Sequence, residues 1–180
     1  MRPPHLERPV TLGIHPTSRG FGWTAFEGPF HLIDHGLFTP RQKEKNAACL
    51  TKVEELLKRH QPETLVLEAF DVASSLRSPR IRRLCLAIVA HAADAGHEVT
   101  VFTRSDVQAA FAPVGARTRE EIAQAVLTYA AGLRHRLPRK RLPWAGEDKR
   151  LSIFSAAALV LTHYHFGMNR LFDDLRGDDA

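Results

Sequence analysis

Three short apolar segments near the start of this chain are joined by gaps too small for anything but tight antiparallel connections. Val10-Thr11-Leu12-Gly13-Ile14, Phe21 to Phe26 and Phe30 to Phe38 read as strands. The gaps, Pro16-Thr17-Ser18-Arg19-Gly20 and Glu27-Gly28-Pro29, are rich in turn-forming residues, so a three-stranded meander is expected. After Phe38 the pattern changes. Thr39-Pro40-Arg41-Gln42 reads as a helix start with Thr39 as the cap, followed by a stripe of Ala47, Leu50, Val53 and Leu57 that ends at Gln61-Pro62. Thr64 to Phe70 is apolar enough for a buried fourth strand. Ser78-Pro79 opens a helix to about Ala95, and Glu98 to Phe102 is a fifth strand. Ser105 to Phe111 fits a short helix, and Thr118-Arg119-Glu120-Glu121 is a capping box opening a helix to Leu133. A last helix is expected from Glu147 to His165, ended by Gly167. A meander followed by alternating helix and strand predicts an α/β fold with a mixed five-stranded sheet flanked by helices. It occupies residues 10–166, between an N-terminal arm (1–9) and a C-terminal tail (167–180).

At 180 residues and 44% apolar content the chain can bury one full core. Its apolar runs, Ala156 to Leu161 among them, are far shorter than a membrane span, and the first residues lack the apolar centre of a signal peptide, so no membrane partner is expected. Cys49 and Cys85 fall in apolar helical patterns, which suits buried thiols in the cytoplasm. The net charge of +5 is unevenly spread. Residues 134–150 hold seven Lys or Arg together with Trp144, and Arg77, Arg80, Arg82 and Arg83 form a second basic cluster. Each is read either as a solvated surface or as a contact for polyanion phosphates, with the indole available for stacking.

Several segments resemble the RuvC-type Holliday junction resolvases, a family of ribonuclease H-like fold. Gly13-Ile14-His15-Pro16-Thr17-Ser18-Arg19-Gly20-Phe21-Gly22-Trp23 is similar to the family's first-strand motif, and Val66-Leu67-Glu68-Ala69-Phe70 to its fourth strand. Gly115 to Gln124 resembles the segment with a DNA-contacting lysine, here Arg119, and Ala156 to His165 the end of the last helix. The resemblance implies homodimers on branched DNA, and a site in which clustered carboxylates hold two Mg²⁺ ions about 4 Å apart for phosphodiester cleavage.

The family's four acidic positions fall here on His15, Glu68, Ser152 and Ser155, so one carboxylate in four is kept. Neutral imidazole and hydroxyl groups cannot supply the charge that two divalent ions need. Asp148 is a possible substitute, four residues before Ser152, in a rearranged site with His15 and Glu68. If any residue ligates a metal it is Glu68, with Mg²⁺ or Mn²⁺ bound only in an active site; otherwise no cofactor is expected. The plainer readings are a salt-bridge partner for Glu68, a hydrogen-bonded strand terminus for His15 and ordinary helix positions for the serines. His163 and His165, two apart on a helix, are weak zinc candidates. Arg19, Phe70, Arg80, Arg119, Arg139, Lys140 and Arg141 are the candidate nucleic-acid contacts, and the helix face with Leu84, Ile88 and His91 the candidate dimer surface. The sequence therefore reads as a RuvC-like protein that binds branched or duplex DNA through a degenerate nuclease site. The alternatives are an active metal-dependent endonuclease with a rearranged site, and a protein-interaction scaffold that reuses the fold.

Overall fold

The computed structural model describes residues 8–71, 73 and 76–177, with side chains to Asn169. Five strands, β1 (Val10–Pro16), β2 (Phe21–Glu27), β3 (Leu32–Phe38), β4 (Thr64–Glu68) and β5 (Glu98–Phe102), form one sheet in the order β3-β2-β1-β4-β5. The first three pair antiparallel, while β4 lies parallel to β1 and β5 parallel to β4. The expected mixed sheet is therefore present.

Strand alternation divides the core. Leu12, Ile14, Phe21, Trp23, Leu65 and Leu67 face α1 (Lys45–His60) and α2 (Pro79–Asp94). The opposite face, with Gly13, Gly22 and Phe26, lies under α5 (Leu151–Gly177), which α4 (Arg119–Tyr129) flanks. Glycine at positions 13 and 22 is a steric requirement: a Cβ at Gly13 would stand 2.4 Å from the Ala156 carbonyl oxygen, and one at Gly22 2.3 Å from the Ser152 carbonyl carbon. The apolar stretch Leu151–Asn169 is long and apolar enough to cross a membrane by composition, but 61% of it is buried inside the fold.

Local signals account for several boundaries. Ser78 caps α2 by accepting from the Ile81 amide, with Pro79 in the first turn. Thr118 and Glu121 form the expected capping box of α4, and a second box, Thr103 with Asp106, opens α3 (Arg104–Phe111). Other expectations are corrected. The first helix starts at Lys45 instead of at Thr39, because Phe38 is still paired with Phe21 and Pro40 lies against Gly20. β4 ends at Glu68, α4 stops at Tyr129 before a 3-10 turn, and α5 begins at Leu151. α5 does not end at Gly167 but runs on to Gly177. Gly167 lacks the left-handed backbone of a helix stop, and Phe166 stacks on Phe102 at 5.8 Å; an interior glycine costs only about 1 kcal/mol. Leu84 and Ile88 are buried in the chain's own core and His91 lies 3.5 Å from Glu54, so that face does not present the apolar surface expected for dimerisation.

Candidate functional site

β1 and β4 run parallel with Gly13 opposite Val66 and Ile14 opposite Leu67. One step further, this register brings His15 and Glu68 side by side on the α5 face. Here the chain order of the sheet reverses, a position where open α/β sheets commonly place ligands. A cleft of about 740 Å³ opens there, lined by His15, Glu68, Ser152 and Ser155 together with residues from the loops around them. The four residues that the resemblance implied thus line one cleft.

The side chains that fill these positions are already committed to one another. His15 Nε2 lies 3.0 Å from Glu68 Oε2, and Arg77 Nη2 donates to the same oxygen at 2.6 Å. Arg77 Nη1 donates to the Pro16 carbonyl, and its Nη2 stands 3.1 Å from His15 Nε2. Burial alone would raise the Glu68 pKa, but the hydrogen bond from His15 and the Arg77 charge outweigh it and hold the carboxyl at about 2. His15 is lowered, by burial first and by the charges of Arg77 and Arg119, against the raising effect of Glu68. The ring is therefore neutral near pH 7. Its Nε2 faces both the Glu68 carboxylate, which only accepts, and the Arg77 guanidinium, which only donates. Nδ1 is buried without a hydrogen-bond partner among the described residues.

At the helical positions, Ser152 is 2% exposed and its hydroxyl donates to the Lys149 carbonyl at 2.7 Å. Ser155 Oγ accepts from Arg119 Nη2 at 3.0 Å, and Arg119 Nη1 pairs with Glu147. Asp148 sits ahead of α5, with its carboxylate turned onto Arg150 at 2.7 Å. Asp148 lines the same cleft as His15 and Glu68 but is engaged by Arg150, and among the described residues no cluster of three or more His, Cys, Asp or Glu is placed to hold a metal.

The ions implied by the resemblance do not fit this donor set. Mg²⁺ requires near-octahedral oxygen ligation, whereas the site offers one carboxylate already neutralised by Arg77, a neutral imidazole and two hydroxyls engaged elsewhere. A divalent ion about 4 Å from the Arg77 guanidinium would also be repelled by about 8 kcal/mol at an effective dielectric of about 20.

The remaining candidates are dispersed. Arg19 lines the cleft. Arg80 is turned inward, donating to Asn46 Oδ1 and to the Thr17 and Ser18 carbonyls, where it fastens the loop after β1 to α1. Arg139, Lys140 and Arg141 are exposed on the loop that leads into residues 147–149 of the cleft, and Trp144 on that loop is 81% exposed. Phe70 is half-buried beyond the end of β4 and outside the cleft lining. His163 and His165 do not meet: one lies against Phe102 and the other against Asn169. Sequence reasoning missed Arg77, Arg104, Arg117 and Lys149 as cleft residues. The basic cluster at 77–83 contains Arg77 and the basic stretch 134–150 contains Lys149, whereas nothing pointed to Arg104 or Arg117.

Element order, sheet order and the placement of the cleft define a RuvC-type, ribonuclease H-like fold. The comparisons agree on this architecture. Thermus thermophilus RuvC superposes with a TM-score of 0.60 at 24% identity, over 88% of this chain and 95% of that one. T. thermophilus RuvC in complex with Holliday junction substrate gives 0.62 at 20% identity, over 89% and 95%. The yeast mitochondrial Holliday junction resolvase Ydc2 gives 0.59 at 10% identity, over 97% and 88%. No family model matches the chain, and no curated protein matches it.

Proposed function

We propose that this chain is a nucleic-acid-binding protein that holds branched or duplex DNA in the cleft and does not cut it by a two-metal mechanism. The observation that carries this reading is the charge balance of the cleft. Its lining has six Lys or Arg and three carboxylates. Each carboxylate is paired with an arginine: Glu68 with Arg77, Glu147 with Arg119 and Asp148 with Arg150. Among the described residues, Arg19, Arg104, Arg117 and Lys149 form no ion pair. A cleft of this composition favours polyanions and repels divalent cations. The fold shared with a RuvC bound to Holliday junction substrate supports the choice of nucleic acid.

The test is equilibrium binding of a four-way junction and a linear duplex across a range of salt. If four cations each meet a phosphate, log K falls with log salt at a slope of about −3 to −4. Binding that stays flat as salt rises would overturn phosphate contact and favour a protein partner.

A further inference from the structure

The resemblance implies two divalent cations at this point of the fold, and the structure puts two guanidinium groups there. Arg77 comes from the segment before α2 and reaches Glu68, the Pro16 carbonyl and the edge of the His15 ring. Arg119 comes from the first turn of α4 and reaches Ser155 and Glu147, while its charge acts on His15. Two separate elements thus deliver one permanent positive charge each to the four positions at which the family carries acids. Arg77 is nearly enclosed, whereas the Arg119 side chain keeps 32% exposure beside the cleft.

We infer that Arg77 and Arg119 are the resident cations of this site, a guanidinium pair in place of a metal pair. This deepens the nucleic-acid reading and rests on it for the identity of the ligand. The arrangement has two chemical consequences. A phosphodiester that takes the place of Glu147 on Arg119 is engaged with no divalent ion present, because that cation is covalently attached. The bound strand stays intact, because a guanidinium remains protonated throughout the working pH range and cannot turn a water into hydroxide as a metal does. Arg119 is the member of the pair placed to contact phosphate, using the planar donors that suit that group. Arg77 is a positioning residue: it neutralises Glu68, closes that carboxylate to metal, and fixes the loop carrying Pro16.

The experiment has two arms. Mn²⁺ uptake by the protein alone is followed by electron paramagnetic resonance and by the melting temperature. Affinity for a four-way junction is measured in EDTA and in Mg²⁺ at matched ionic strength. The wild type is expected to take up no Mn²⁺ at millimolar concentration and to bind the junction equally in both buffers. Arg119→Gln should weaken binding about tenfold in either buffer. Millimolar Mn²⁺ should raise the melting temperature of Arg77→Ala, in which Glu68 is uncovered, and leave Arg77→Lys and the wild type unchanged. Micromolar Mn²⁺ uptake by the wild type, or junction binding that requires Mg²⁺, would overturn the inference without any variant having to fold. An identical Mn²⁺ response of folded Arg77→Ala and wild type would do the same. If the wild type binds neither junction nor duplex in any buffer, the nucleic-acid reading falls, and Mn²⁺ uptake by the protein alone still decides the guanidinium pair.

Discussion

Glu68 keeps its charge in a half-closed position because a permanent cation touches it, and this makes it a reporter for the site. Its folded-state pKa of about 2 lies below the ordinary 4.5. A depressed carboxylate stabilises the fold above the ordinary value, and that contribution is lost as pH falls from about 4.5 toward about 2. Glu68→Gln removes the carboxylate that the Arg77 guanidinium touches at 2.6 Å and should cost about 2–3 kcal/mol near neutral pH. That figure is set below the 3–5 kcal/mol typical of fully buried pairs because the Glu68 side chain is 24% exposed. Urea unfolding of both proteins should show the difference shrinking through this pH window; a difference that stays constant to the acid end would contradict the assignment. His15, lowered by burial, acts in the same direction at higher pH, so the comparison belongs below the ordinary Glu value.

At the scale of elements, the site exists because α5 can lie directly on β1 and β2. Gly13 and Gly22 remove the side chains that would hold the helix off, and Ser152 and Ser155 are thereby brought to the ends of the strands carrying His15 and Glu68. Gly22→Ala is expected to destabilise the protein by about 2–3 kcal/mol, since the clash is with backbone that cannot rotate away. Gly146→Ala, with nothing within 4 Å of its added carbon, should stay within about 0.5 kcal/mol of the wild type. Denaturant midpoints of the two variants decide this. The strand meander, the α2 cap and the Thr118 box were legible in the sequence because each is set by residues within a turn or two of one another. The start of α1 and the end of α5 were misread for the complementary reason. Pairing of Phe38 with Phe21 and stacking of Phe166 on Phe102 are contacts between distant residues that overrode a plausible cap and a plausible glycine stop.

For the whole molecule, the basic excess becomes informative only after its internal pairs are set aside. Arg77 and Arg80, read from the sequence as one exposed cluster, are both turned inward, whereas Arg104 and Arg117, which drew no attention, line the cleft without an ion pair. Replacing both Arg104 and Arg117 with Gln should therefore reduce the salt slope of junction binding by about 2, since each phosphate contact contributes about 0.9. An unchanged slope would place the phosphate contacts elsewhere, with the exposed loop around Arg139 to Arg141 the next candidate.

The order of strands and helices and the fold class were fixed by the sequence, since periodicity and turn chemistry are local properties. Tertiary structure alone decided the partners of Glu68. Glu68 and Arg77 are nine positions apart, and His15 and Arg77 sixty-two apart. No periodic pattern links such positions; only the parallel register of β1 with β4 and the path of the loop before α2 bring a guanidinium to the carboxylate. The same limit applies to Leu84 and Ile88, whose apolar spacing shows that they are buried but cannot say against what.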